Sequence, residues 1–297
     1  MKPGLSSYSF FPLLADGRLT IDGLFDWLKA KGAEHLEVAT FTLGGPGKGG
    51  VGYDLASDAE TINRLQSASS RTGIPVSGLC MAASFIGKGL GTRPDQIENV
   101  KRHVELSRQL GAGFLRHDVV PWSYRLTDTD EFEREFPGIV EACREIADFA
   151  AGHGVVTSVE NHGFFMNSSE RVRRLLHAVN HPNFKMTLDT GNFLCVDEDP
   201  SVATRLSLPH AGFVHVKDFY VRRKEPGPGW LNTYGGQFIR GSVFGYGDLD
   251  VRGILEDVVA SGFDGFISLE YEGNEPSLFG CETGFNNLRR MLEEVSA

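Results

Sequence analysis

Five times along the chain an amphipathic stretch closes on a glycine, and a short apolar run follows within a few residues. The instances are Lys31-Gly32 before Leu36-Glu37-Val38, Thr72-Gly73 before Pro75-Val76-Ser77-Gly78-Leu79, Leu110-Gly111 before Phe114-Leu115, His153-Gly154 before Val155-Val156, and Ser261-Gly262 before Phe266-Ile267. Glycine just past a helix tolerates the left-handed conformation that a C-terminal cap demands, so the repeated phrase reads helix, cap, strand. Apolar runs near 5–10, 184–189 and 212–215 complete a set of eight strands. The helical pattern predicts helices at about 21–31, 58–72, 94–110, 136–152, 168–180, 199–206, 250–261 and 283–296, the second opened by the capping-box signature Ser57-Asp58-Ala59-Glu60. Strict alternation of strand and helix implies parallel strands, because a parallel connection needs a crossover. Eight such units predict an α/β fold, a closed (β/α)8 TIM barrel.

Four of the apolar runs in the second half carry a metal-binding kind of side chain near their C-terminal ends: Glu160, Asp189, His215 and Glu270. An acid at the end of a buried strand is costly unless something compensates its charge. Three carboxylates and an imidazole converging on one point suit one divalent metal ion such as Mn²⁺, Mg²⁺, Co²⁺ or Zn²⁺. Asp189 follows Glu160 by 29 residues and His215 follows Asp189 by 26. Each interval is close to one strand-helix unit of about 30 residues in a barrel of roughly 250. Glu270 comes 55 residues later, which requires an insertion. The surplus falls in 219–247, rich in glycine, proline and aromatic residues, and a long loop after strand seven lies on the rim where barrels build substrate lids. A doubly wound open sheet would spread the four residues along an edge, whereas closure brings them to a common centre.

A length of 297 residues permits two domains, but the continuous repeat favours one barrel domain over 1–297 with a lid-like insertion at about 219–247. With 41% hydrophobic and 23% charged residues the composition is that of an ordinary globular protein. A net charge of −10 argues against nucleic acid as a partner, since phosphate contacts need clustered Lys and Arg. The four cysteines lack CxxC spacing and indicate free thiols in a reducing cytoplasm. No apolar run reaches the roughly 20 residues that span a bilayer and the N-terminus lacks a signal-peptide pattern, so no membrane partner is expected and the location is read as cytoplasmic. Gly44-Gly45-Pro46-Gly47-Lys48-Gly49-Gly50 departs from a phosphate loop, because Thr42 and Gly49 stand where that motif needs glycine and a hydroxyl residue. A Gly-x-Ser-x-Gly elbow is absent as well.

Taken together, Glu160-Asn161-His162-Gly163, Leu188-Asp189-Thr190-Gly191-Asn192, His215-Val216-Lys217-Asp218 and Ser268-Leu269-Glu270-Tyr271-Glu272-Gly273 resemble the signature segments of the xylose isomerase-like TIM barrel superfamily, in its sugar phosphate isomerase/epimerase branch. Gly245-Tyr246-Gly247-Asp248 is similar to a segment that precedes the last helix of that group. The resemblance implies that Glu160, Asp189, His215 and Glu270 are metal ligands, and that Glu160 and Glu270 are also the catalytic proton carriers. It places His162, Asn192 and Lys217 against the substrate and gives Asp218 a role in orienting His215 or the lid, the alternative being a strand-end ion pair with Lys217. His117, at the end of strand four, either faces the substrate or hydrogen-bonds within the rim; Trp122 and Trp230 are further candidates for substrate contact, and Trp230, Tyr234 and Phe244, with Trp122, are the lid candidates. Endonuclease IV shares the barrel but uses extra histidines to hold three metals. Here strand three ends Leu79-Cys80-Met81-Ala82-Ala83, and no Asp-x-His follows His215, so one metal is expected.

The expected activity is therefore that of a metal-dependent isomerase: ketose epimerisation or aldose–ketose isomerisation of a sugar or sugar phosphate by proton transfer through an enediolate. A lyase or dehydratase acting on a keto-sugar, keto-inositol or 3-oxo-glycoside would use the same enolisation, with His117 or His162 as the acid over the leaving group. The third reading is a carbohydrate-binding barrel without turnover. A small sugar or polyol is the expected partner in each case, and assembly as a homo-oligomer is compatible with all three.

Overall fold

In the computed structural model, which describes residues 1–296, eight parallel strands close on themselves. They are β1 (Lys2–Ser6), β2 (Leu36–Ala39), β3 (Val76–Met81), β4 (Phe114–His117), β5 (Val156–Glu160), β6 (Phe184–Asp189), β7 (Ala211–Val216) and β11 (Phe266–Leu269). The ladder runs β1-β11-β7-β6-β5-β4-β3-β2 and returns to β1, which is the (β/α)8 barrel expected from the repeat. Around it lie α2 (Ile21–Lys31), α3 (Ala59–Thr72), α4 (Arg93–Leu110), α5 (Thr129–Ala151), α6 (Ser169–Val179), α7 (Pro200–Ser207), α8 (Val251–Ala260) and α9 (Ser277–Val295), with a short α1 (Phe11–Ala15) before them. The glycine caps take the left-handed conformation expected of them: Gly32 has φ 72° and Gly73 φ 76°.

Four boundaries differ from the sequence reading. The first strand stops at Ser6, whose hydroxyl accepts the Tyr8 N–H and starts a 3₁₀ turn over Ser7–Phe10. Helix α5 begins at Thr129 rather than near 136, because the Asp128 side chain caps the Glu131 N–H at 2.8 Å and Pro137 is carried inside the helix. Helix α9 starts at Ser277 and carries Gly280 and Gly284, whose missing side chains leave room for Tyr271, Leu269 and Phe244. The expected loop after strand seven is a small antiparallel sheet, in which β10 (Phe238–Ser242) pairs with β8 (Asp218–Arg222) and with β9 (Leu231–Asn232).

Strand alternation sorts the side chains into two layers. Leu79, Leu115, Leu188, Val214 and Ile267 are fully buried at 0% exposure. They belong to the layer that the helices cover. The opposite parity points into the barrel. Phe114, Phe213 and Phe266 meet there with centroids 5.7–6.3 Å apart and fill its lower part. Two residues further along the same strands come Arg116, His215 and Ser268, and then Asp118, Lys217 and Glu270 at the upper mouth. Among the described residues all four cysteines are unpaired and buried, and no helix is long and apolar enough to cross a membrane.

Candidate functional site

Residues on four neighbouring strands build the centre. The β6–β7 ladder sets Asp189 beside His215, and the β7–β11 ladder sets His215 beside Ser268, two residues before Glu270. One ligand atom from each of Glu160, Asp189, His215 and Glu270 lies within 4.8 Å of the others. Nδ1 of His215 is 3.6 Å from Glu160 Oε1, 3.6 Å from Glu270 Oε1 and 3.8 Å from Asp189 Oδ2. Those separations exceed a hydrogen bond, yet atoms each about 2.0–2.2 Å from one shared ion stand this far apart. The imidazole is wholly buried and its Nδ1 makes no hydrogen bond. An orphaned nitrogen facing three carboxylate oxygens fits a divalent cation in donor type and in spacing.

The carboxylates are tied back by neighbours that fix their directions. Asp189 Oδ1 accepts the N–H groups of Gly191 and Asn192, both at 2.8 Å, while Oδ2 faces the centre. Glu160 Oε1 accepts Asn192 Nδ2 at 2.9 Å, and its Oε2 lies 2.6 Å from Arg116 Nε. Asn161 braces the strand ends by donating to the Asp189 carbonyl at 2.8 Å and accepting the Asp189 N–H at 2.9 Å. Lys217, only 3% exposed, places its ammonium 2.9 Å from Asp189, 2.8 Å from Glu270 and 2.6 Å from Glu272.

The charges follow from this wiring. Burial alone would raise the Glu160 carboxyl, but Arg116 and His215 overcome it and hold Glu160 well below its ordinary range. Burial likewise opposes ionisation of Glu270, and Lys217 with His215 brings it down. Asp189 goes the other way: burial, against the pull of Lys217, raises it to about 6. Burial would lower Lys217, yet Asp189, Glu270 and Glu272 surround the ammonium and hold it well above its usual value.

The remaining sequence candidates separate. Asn192 and Lys217 join the centre as described. His162 stands at the mouth with Nδ1 2.9 Å from Asp118 Oδ1; burial disfavours its charged form, but the Asp118 carboxylate outweighs that and raises the imidazole. Trp122 is 44% exposed on the loop after β4, edge-on to Phe164 at 6.2 Å. Trp230 stays on the insertion, with the Arg240 guanidinium 4.6 Å over its ring.

His117 does not face the site. It points out of the barrel, buried between Phe85 and Phe184, with its Nδ1 donating to the Asp118 carbonyl at 3.0 Å. Its neighbour Arg116 faces inward instead, since adjacent strand residues point to opposite faces. Phe244 is no lid residue either; it is 2% exposed and packs beneath α9. Lys217 and Asp218 form no ion pair with each other. Asp218 accepts the N–H groups of Phe219 at 2.8 Å, Gly245 at 3.0 Å, Gly247 at 2.8 Å and Leu249 at 3.3 Å, pinning the end of the insertion. A Cβ at Gly247 would collide with that carboxylate, which explains the glycine.

The family profile of the xylose isomerase-like TIM barrel matches residues 25–293. The chain belongs to that family. This xylose isomerase-like barrel is 27% identical over 208 residues to the 2-epi-5-epi-valiolone 7-phosphate 2-epimerase of Actinoplanes sp., an alignment covering 66% of this chain and 72% of that protein. It is 24% identical over 148 residues to the inosose dehydratase of Lactiplantibacillus plantarum, covering 49% of each chain. In three dimensions it superposes on the 3-keto-D-glucoside 4-epimerase from E. coli with a TM-score of 0.72, over 98% of this chain and 99% of that one, at 18% identity. A likeness at that identity shows the shared barrel.

Sequence reasoning missed Glu37, Arg116, Asp118 and Tyr8. Glu37 lies in β2, 1% exposed, with its carboxylate 2.7 Å from His215 Nε2. The signal was available: an acid within the run Leu36-Glu37-Val38-Ala39 obeys the same rule that singled out the other four. Arg116 also contacts Asp118 at 2.8 Å, so a chain of charge runs from Glu160 through Arg116 and Asp118 to His162. Tyr8 stands close enough to Glu272 for that carboxylate, with burial, to raise the phenol.

Proposed function

We propose that this protein is a divalent-metal-dependent sugar epimerase or isomerase that moves a proton at the carbon next to a carbonyl. The observation that carries the reading is the pair Glu160 and Glu270. These carboxylates stand on strands separated by β6 and β7, each 3.6 Å from the same imidazole nitrogen. Glu160, Asp189, His215 and Glu270 would hold the ion. A divalent cation held there would supply Lewis acidity to a substrate carbonyl and so acidify the adjacent carbon.

The chain's own residues supply the proton traffic. A base must be ionised to accept a proton, and Arg116 and Lys217 keep Glu160 and Glu270 so. Their placement across the centre suits two-sided transfer, one glutamate taking the proton and the other returning it. Asn192 fixes the Glu160 carboxylate through its Oε1, and Asp189 is anchored by backbone N–H groups, so the bases approach a bound sugar from set directions. Segment 219–247 serves as the lid over a single barrel domain. Trp122 and Trp230 would line the approach beneath it. That an epimerase is among the relatives named above at 27% identity supports the assignment.

A dehydratase is the second reading, favoured by the Asp118–His162 pair. An imidazole whose charged form a neighbouring carboxylate favours, standing at the mouth, suits the role of acid to a departing hydroxyl. Incubation of the Mn²⁺-loaded protein in D₂O with a panel of ketoses, aldoses and keto-inositols tests both. Deuterium entering next to the carbonyl with the skeleton retained supports epimerisation, loss of water supports the dehydratase, and a panel without exchange contradicts enolisation.

A further inference from the structure

We infer that Glu37 is a positioning residue that selects which nitrogen of His215 faces the metal and strengthens the hold of the four ligands on the ion. The inference rests on the metal reading above. Its own footing is a buried acid that the proton-transfer scheme does not use.

Glu37 belongs to β2, and in the ladder β2-β1-β11-β7 two strands lie between it and His215. Its carboxylate therefore reaches the imidazole across the barrel interior. The side chains beside it in the ladder permit this, since Ser6 and Gly78 are its partners on β1 and β3 and both are small. The carboxylate straddles Nε2, with Oε1 at 2.9 Å and Oε2 at 2.7 Å. Neither group is more than 1% exposed. Oε2 has no other hydrogen-bond donor, so the carboxylate is devoted to this ring. A buried carboxylate with a single partner costs several kcal/mol unless that partner compensates it, which makes incidental packing a poor account.

The consequence is directional. With Nε2–H donated to Glu37, the imidazole presents the lone pair of Nδ1 to the three carboxylates, the arrangement a cation requires. If the ring were turned over or held the other tautomer, an N–H would point into the ion's place. A carboxylate partner also makes the ligating nitrogen more basic and adds a negative charge close to the centre. Both effects tighten the grip on a divalent cation, and loss of such outer partners commonly weakens affinity by about 10–100-fold.

The test is metal binding by the apo-protein, without substrate or turnover. Mn²⁺ and Zn²⁺ affinities are measured by competition with a chromophoric chelator for wild type, Glu37→Gln and Glu37→Met. Urea unfolding in EDTA establishes that each variant is folded. In the Zn²⁺-loaded proteins, ¹⁵N-resolved NMR follows the His215 Nε2–H. Expected are an affinity lower by about 10–100-fold in Glu37→Gln, a larger loss in Glu37→Met, and a slowly exchanging downfield Nε2 proton in wild type that moves upfield in Glu37→Gln. A folded Glu37→Gln that binds both ions within about twofold of wild type overturns the inference while leaving the metal reading standing. Wild-type protein that binds neither ion overturns both. If Glu37→Gln does not fold, the Nε2–H signal in wild type decides: rapid exchange and an ordinary chemical shift overturn the inference, and a protected, hydrogen-bonded proton supports it.

Discussion

Replacing Lys217 with methionine should destabilise the metal-free protein and make that deficit grow with pH. The ammonium is 3% exposed and lies 2.6–2.9 Å from three carboxylates, so it is the internal countercharge of the centre. Methionine keeps most of the volume and removes the charge. Breaking a buried pair by deleting one partner costs about 3–5 kcal/mol, a large share of a total stability of about 5–15 kcal/mol. The orphaned acids can take up protons instead. Asp189 is already raised to about 6 with Lys217 present. An acid whose folded pKa lies above its unfolded value stabilises the fold below the unfolded pKa, and that contribution disappears as pH rises through the folded one. The variant's deficit should therefore be small near pH 5 and full near pH 8. A divalent cation at 100 times its dissociation constant should restore about 2.7 kcal/mol. Urea unfolding in EDTA and in Mn²⁺, at pH 5 and pH 8, measures all three quantities. A variant as stable as wild type in EDTA at pH 8 would refute the assignment of Lys217 as countercharge.

His35 and His117 are buried and desolvation lowers each to about 4. A base with a depressed folded pKa takes its proton only on unfolding, so stability is whole above about 6.5 and falls between there and 4, by on the order of 3 kcal/mol for each. His117→Gln should flatten the acid limb of unfolding free energy against pH; an unchanged slope counts against a neutral buried imidazole. Asp118→Asn removes the carboxylate that raises His162, and the pH at which any His162-dependent step fails should move down; a profile identical to wild type would exclude the pair from the reaction. Asp197 takes hydrogen bonds from Thr233 Oγ1 at 2.7 Å, Gln237 Nε2 at 3.0 Å and the Gly235 N–H, so Asp197→Ala should loosen the insertion. At about 1 kcal/mol per bond, or about 3 kcal/mol for the three, limited proteolysis within 219–247 should quicken on the order of 100-fold, and equal cleavage rates would show that Asp197 is not the latch.

The barrel was legible because its signals are local. A glycine cap and an apolar run a few residues later can be read without knowing what the strand pairs with; five such phrases and three further apolar runs make up the eight strands. Glu160, Asp189, His215 and Glu270 were legible for the related reason that an ionisable group in a buried strand is conspicuous. What stayed hidden depends on contacts far apart in sequence. Glu37 meets His215 across 178 residues, and nothing near either one announces the partner. At the end of β4 the choice between Arg116 and His117 turns on a one-residue register, which reverses every face, and a four-residue strand gives too short a pattern to fix it. Residues 219–247 concealed their sheet because the β8–β10 pairing spans glycine- and proline-rich turns that resemble a loop.

Two-sided proton transfer by Glu160 and Glu270 is tested most directly by single variants assayed from both directions. Glu160→Gln and Glu270→Gln, each shown to retain metal, are incubated in D₂O with either member of an interconverting epimer pair, and deuterium at the reacting carbon is followed by NMR. The account predicts that neither variant interconverts the pair and that each still exchanges the proton of one epimer, the opposite one in the two variants. Interconversion at near wild-type rate in either variant would contradict it.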